Sequence, residues 1–407
     1  MPDFRAFWIG QSISVIGDQV SGVAIPLVAV LILEADAGQM GLLTAAGLVP
    51  HLLFSLPFGV WLDRVHRRRR VMIAADLGRA LLLASIPIAW ALDVLTLEQL
   101  FIVGFVVGTL TVGFDILWAT IFVSVAPRDR YVEANTLLGG SRSIASVAGP
   151  TIAGALVQFL GAALTIVADA VSFIASAVSL TFVRAVEEPV EPDDSSLRER
   201  LAVGLRFIFR DPIMRATLLA AGWINLFDFA FMALLILYAT ETLGVSPGLL
   251  GLVLGSGAVG GVIGAIIAAR VGRRIGLGPA FALGCVLFPV PLVLVPLAGG
   301  PELVVLGCLF AAEFGAGMGV MILDVNVGAV ILARTPDRIR SRAMGSFRFV
   351  NYGIRPVGAL VGGFLGTLIG VRETLFVVSV LACFGVLWLV RSPVIRLRDL
   401  PEPAEIG

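Results

Sequence analysis

The chain has 407 residues, 58% of them hydrophobic and 14% charged, and its mean hydropathy is +0.99. Soluble domains carry about 25% charge, so the composition excludes an ordinary soluble protein and points to an integral membrane one. The formal net charge is zero and all 29 basic residues are Arg; without Lys there is no G-x-x-x-x-G-K-[ST] phosphate loop, and so no ATPase motor built on one.

Cys285, Cys308 and Cys383 stand isolated in apolar runs, and His51 and His66 are the only imidazoles. No metal site, disulfide framework or cofactor is expected. No nucleophile stands with a base, so an enzyme is not expected either. Nothing marks a nucleic-acid partner.

Runs of roughly 20 apolar residues, enough to cross about 30 Å of hydrocarbon, recur twelve times. They predict helices at 6–33, 39–62, 71–92, 99–126, 133–160, 162–183, 213–240, 248–269, 278–298, 302–333, 342–369 and 372–391. The first is longer than the apolar core of a signal peptide and is expected to be retained.

In chain order, the first span carries Asp18 within VIGDQVSG. An ionised acid at the bilayer centre costs about 2.5–3.5 kcal/mol on insertion scales, so its presence needs a reason. The second span holds His51, open to a proton role or to core packing. The third holds Asp76 and Arg79 at i, i+3, read as a structural pair. Asp115 lies in the fourth span, Arg142 in the fifth and Asp169, read as a packing hydrogen-bonder, in the sixth.

Residues 185–212 form the longest polar insert, an acidic EEPVEPDD stretch followed by SSLRERLAVGLRFIFRD. Ser196 and Glu199 have capping-box spacing, and Leu197, Leu201, Leu205, Ile208 and Phe209 form an apolar stripe. A helix along the membrane surface, acting as a tether, is the expectation.

The seventh span holds Asp228 among Trp223, Phe227, Phe229 and Phe231. Glycines crowd the eighth and eleventh, as close helix contact requires. Glu313 and Asp324 in the tenth are about three turns apart, nearly on one face. Arg348 and Arg355 in the eleventh share a face at i, i+7, as internal partners of the acids or as holders of an anionic substrate.

All the arginines except Arg372 and the in-span Arg79, Arg142, Arg348 and Arg355 fall on one side if the N-terminus is cytoplasmic. The positive-inside rule then puts both termini in the cytoplasm of a multi-pass protein of the inner (plasma) membrane.

The two sets of six spans repeat. Arg142 and Pro150 recur as Arg348 and Pro356, at an offset of 206. Asp18 is 13 residues beyond Arg5, and Asp228 is 13 beyond Arg215; Asp115 is 12 before Pro127, and Asp324 is 12 before Pro336. At 1.5 Å per residue each acid lies about 18–20 Å from the cytoplasmic rim. Lipid would not tolerate these four, so protein or a hydrated cavity should receive them, and one shared central site is expected. There, poor hydration would let a carboxylate load and release protons. Each Asp taken alone is equally well a packing residue; the matched depths favour function.

The pattern resembles the major facilitator superfamily over essentially the whole chain. GVWLDRVHRRRR is similar to its loop signature G-x-x-x-D-R-x-G-R-R, matching at Gly59, Asp63, Arg64, Arg67 and Arg68, with His66 in place of the usual Gly. Gly59 would allow close helix packing, and Asp63 with the Arg cluster would make a cytoplasmic charge latch. ASVAGPTIAG resembles the antiporter motif G-x-x-x-G-P-x-x-G at Gly149, Pro150 and Gly154, with Ala145 where the first Gly would be. The frequent Arg of the fourth span is absent, and Asp115 is the polar residue there.

FRAFWIGQSISVIGDQVSGVAIPLVAV, GLVPHLLFSLPFGVWLDR and ADAVSFIAS resemble the enterobactin-exporter and macrolide-efflux branch. The resemblance implies an all-α integral membrane fold of twelve transmembrane helices in two pseudo-symmetric six-helix bundles, the major facilitator fold. The division expected is 1–184, a linker 185–212, 213–391 and a cytoplasmic tail 392–407. It also implies a secondary active transporter working as a monomer by alternating access: proton-coupled efflux, by antiport, of small amphipathic molecules such as drugs or siderophores. Asp18, Asp115, Asp228, Asp324 and Glu313 are the candidate coupling and cavity acids. Proton-coupled uptake by symport, uniport, and a non-transporting receptor or scaffold stay open.

Overall fold

A computed structural model describes residues 2–63, 65–184 and 197–404. Twelve helical segments in it are long and apolar enough to cross a membrane, as expected from the sequence. The first six are α1 (Pro2–Leu31), α2 (Ala37–Asp63), α3 (Arg68–Ala91), α4 (Leu97–Val125), α5 (Tyr131–Leu160) and α6 (Ala162–Thr181). After α7 (Leu197–Arg210) come α8 (Pro212–Leu237) and α9 (Pro247–Ile275).

The ninth span is three short pieces, α10 (Leu277–Leu287), α11 (Pro289–Leu292) and α12 (Leu294–Leu297). Pro289, Pro291 and Pro296 remove backbone donors there, and each ring clashes with the preceding turn. Then follow α13 (Glu302–Arg334), α14 (Arg340–Ile369), α15 (Val371–Cys383) and α16 (Val386–Val390).

Helices dominate because a chain in hydrocarbon must satisfy its backbone within each segment. Where one span follows another without a loop, Gly161, Gly276 and Gly370 turn the chain at φ of +84°, +95° and +95°. That left-handed backbone is open to glycine at no steric cost. Gly161 and Gly370 join equivalent spans of the two halves.

The chain divides into two units, residues 1–194 with 244–255, and residues 195–243 with 256–407. In the first, α1 packs on α5 and α6, α2 on α4, and α3 on α4 and α6. Phe4, Phe7, Leu62, Met72, Leu117 and Ile121 are among the residues that fill the core at one end of this unit. In the second, α8 packs on α14 and α15, and α10 on α13. The α1–α5 and α1–α6 pairings are thus repeated by α8–α14 and α8–α15.

The amphipathic segment is helical as expected, yet it docks on protein. The Ser346 hydroxyl of α14 donates to Leu201 O at 3.3 Å, Ile208 is fully buried, and a Cβ on Gly204 would collide with Ser346 and Arg342. Gly204 lies at the edge of the apolar stripe, beside Leu197 and Ile208, and lets α14 approach. Ser196 and the acidic stretch 185–194 lie outside the described residues. The tail is tied down as well: Gly278 N donates to Leu397 O at 2.8 Å.

Candidate functional site

In the first unit, acids from four helices converge. Asp169, Arg79, Asp115 and Asp76 all stand within electrostatic reach of Asp18. Local sequence makes this possible: a Cβ on Gly17 would collide with Ser172 and Asp169, so glycine beside Asp18 lets α1 close onto α6. The Ser172 hydroxyl donates to Asp169 Oδ1 at 2.9 Å.

Arg79 and Asp76 form an ion pair and are 2% and 0% exposed. The guanidinium lies 4.5 Å from the centroid of Phe114 and 4.1 Å from that of Phe173. Such stacking suits a weakly hydrated planar cation. Arg142 of α5 lies over the Trp118 ring at 4.9 Å, within electrostatic reach of Asp115. Asp18, Asp115 and Arg142 keep exposed side chains.

In the second unit, Asp228, Asp324, Arg348 and Arg355 line one cavity of about 520 Å3. Ile224, Phe229, Phe288, Leu323, Val327 and Phe347 give it an apolar wall, with Asn225, Asn351 and Tyr352 as further polar groups. Arg355 Nε donates to Asn225 Oδ1 at 3.0 Å, and its guanidinium lies 4.0 Å from the Tyr352 centroid and 4.9 Å from that of Phe229. Asp228 and Asp324 are its electrostatic partners.

Glu313 does not line this cavity. It is 7% exposed, and its carboxylate faces α9 so closely that a Cβ on Gly257 would lie 3.1 Å from Oε2. Eleven residues run some 20° past three full turns in the same helix, and the glycines of α9 take up the side chain. Arg348 and Asp324 are exposed.

Of the residues matching the loop signature, Arg64 lies outside the described residues, as does the side chain of Asp63. Arg68 is buried and Arg67 exposed. A Cβ on Gly59 meets nothing within 4 Å; close helix packing is therefore not the reason for glycine there. In the antiporter-like segment, by contrast, glycines do allow contact. A Cβ on Gly149 would collide with Gln19 of α1, and one on Gly154 would lie 2.8 Å from Gly251 Cα at the start of α9.

Among the aromatics of α8, Phe227 and Phe231 are buried in the packing, while Phe229 lines the cavity. Sequence reading missed Asn225, Tyr352 and the Phe114–Phe173 clamp. A signal existed: Asn225 is three residues before Asp228, and Tyr352 three before Arg355, so each pair shares a helix face.

Comparison with known proteins agrees with the fold. A model of the Major Facilitator Superfamily matches residues 7–352, with a second match over 218–405. A relative described as the multidrug efflux pump Tap of Mycobacterium tuberculosis is 27% identical, covering 96% of this chain and 93% of its own. The enterobactin exporter EntS of Escherichia coli is 25% identical, over 55% of this chain and 53% of its own. Among solved structures, the nucleoside transporter NupG superposes with a TM-score of 0.79 at 13% identity, covering 96% of this chain and 100% of that one. A bacterial homologue of the iron transporter ferroportin gives 0.75 at 17% identity, covering 95% and 98%.

Proposed function

This chain belongs to the major facilitator superfamily, a multi-pass membrane transporter, and we propose that it exports small amphipathic organic molecules in exchange for protons. The relatives named for multidrug and enterobactin efflux support the direction and the substrate class. Both termini would face the cytoplasm, and the functional unit would be one chain in the plasma membrane.

The observation that carries the reading is the cavity of the second unit. Its volume of about 520 Å3 falls within the roughly 300–1,000 Å3 of small-molecule sites. Its wall is part apolar and part polar, and its charges are two carboxylates and two guanidiniums. Such a site receives the apolar body of a substrate and its polar end together.

The same charges give a rule for coupling. With Asp228 and Asp324 ionised, Arg355 is neutralised by protein and the cavity is ready to accept a substrate. Protonation from outside leaves the guanidiniums without counter-charge, which repels the cationic end of a substrate, weakens the hold on it and favours the return of the protonated, empty carrier. Each proton moving down 100 mV contributes about 2.3 kcal/mol. In the first unit Asp18 and Asp115, with Arg142, hold the equivalent positions. The two units alternate access by moving as bodies.

The test is efflux from proteoliposomes under an imposed pH gradient, with a lipophilic dye as substrate. Dye movement should need the gradient, and Asp228→Asn or Asp324→Asn should remove the gradient-driven part while leaving exchange down a dye gradient. Full pH-driven transport by both variants would overturn the coupling role.

A further inference from the structure

A second cavity of the second unit, of about 570 Å3, lies between α8 and the α15–α16 pair. Ala216, Leu219, Trp223, Phe384, Leu387 and Trp388 form its wall. Trp223 Nε1 donates to Leu381 O at 2.7 Å, which fixes the indole as the floor between the helices. Phe384, Leu387 and Trp388 are 47%, 41% and 42% exposed, so the groove opens away from the protein.

Two cations stand at its rim. Arg215 is in the first turn of α8 and Arg391 caps the end of α16; both line the groove and both are exposed. Among the described residues neither has a carboxylate within ion-pair distance. From Leu381 to Arg391 is about 15 Å of helix rise, half of the roughly 30 Å hydrocarbon thickness.

The groove therefore has the dimensions of one leaflet, with apolar walls below and unpaired positive charge above. A free anion would use the arginines and leave the cleft empty; an uncharged lipid would fill the cleft and leave both cations without a counter-charge. We propose that this groove binds one anionic glycerophospholipid, its phosphate between Arg215 and Arg391 and an acyl chain along Trp223, Phe384, Leu387 and Trp388. Basic pockets between membrane helices hold acidic headgroups by this combination of charge and fit.

Native mass spectrometry of the full chain in detergent tests it, with phosphatidylglycerol, phosphatidylcholine and inorganic phosphate as probes. Phosphatidylglycerol should be retained at least fivefold more than phosphatidylcholine and should withstand excess phosphate. Arg215→Gln with Arg391→Gln should abolish that preference, and Trp388→Ala should lower retention of the lipid. Should the double variant fail to fold, Arg391→Gln alone, at a helix end, serves for the same comparison. Equal retention of the two lipids, displacement by phosphate, an unchanged preference in the folded variant, or a lipid-independent dimer lost in Trp388→Ala would each overturn the assignment.

Discussion

Arg355 is held by Asn225, whose Oδ1 accepts from Nε at 3.0 Å, and Asn225 lies one helical turn before Asp228. The guanidinium is thereby aimed at the cavity and at both acids, with Tyr352 against its face. Hydrogen bonds to charged groups contribute about 1.5–3 kcal/mol, so Asn225→Ala should slow substrate efflux by about tenfold or more. Arg355→Lys keeps the charge but loses the planar fork, and should be impaired to a similar degree. Efflux rates at matched expression check this; wild-type rates in Asn225→Ala would show that the contact positions nothing.

The Asp76–Arg79 pair predicts a different response. Both side chains are almost fully buried and Arg79 is clamped between two rings. Removing one partner leaves a buried charge uncompensated, at about 3–5 kcal/mol. Asp76→Asn and Arg79→Gln should each unfold at markedly lower temperature in detergent, whereas Asp76→Leu with Arg79→Leu should recover part of the loss. A double variant as unstable as the sum of the single ones would remove the pair as the explanation.

The helices were legible in the sequence because hydrophobic length alone sets them, and each predicted span falls within a few residues of the observed one. The acids were legible as a repeat because depth follows from residue count. Side-chain partners were not. Equal spacing put Arg142 and Arg348 in the same class as Arg355, yet the first lies over Trp118 and only the last is clasped by an asparagine. Glycine was ambiguous for the same reason: Gly154 meets a backbone and Gly59 meets open space, a difference that depends on the neighbouring helix and not on the motif.

Asp211 joins two roles at the start of α8. Its Oδ1 accepts from the backbone N–H groups of Ile213 and Met214 at 3.0 and 2.9 Å, while Oδ2 meets Arg334 of α13 at 2.9 Å. Arg334 in turn donates to Glu402 O at 2.8 Å, which ties the tail to the same point. Asp211→Asn preserves the cap and loses the ion pair; Asp211→Ala loses both. The alanine variant should be the less stable by about 1 kcal/mol, and in both the tail should be cut faster by protease. Thermal unfolding and limited proteolysis check the order; equal stability would mean that the cap contributes nothing.

Gly154 of α5 and Gly251 of α9 face each other within the first unit, where a Cβ on either would meet the other glycine's backbone and a carbonyl one turn before it, Pro247 O or Pro150 O. A Cβ on Gly154 would lie 2.8 Å from Gly251 Cα, and one on Gly251 would lie 2.9 Å from Gly154 Cα. Inserting a methyl group into such a contact costs about 1–3 kcal/mol, because backbone and not a mobile side chain must give way. Once one methyl has forced the helices apart, the second finds space already made. Gly154→Ala and Gly251→Ala should therefore each lower the unfolding temperature, and the double variant should lose less than the two losses combined. Gly139→Ala, on the same helix but with nothing within 4 Å of its Cβ, should be neutral or stabilising, since it only reduces the freedom of the unfolded chain. Additive losses at Gly154 and Gly251, or an equal loss at Gly139, would show that helix propensity and not backbone approach governs the site.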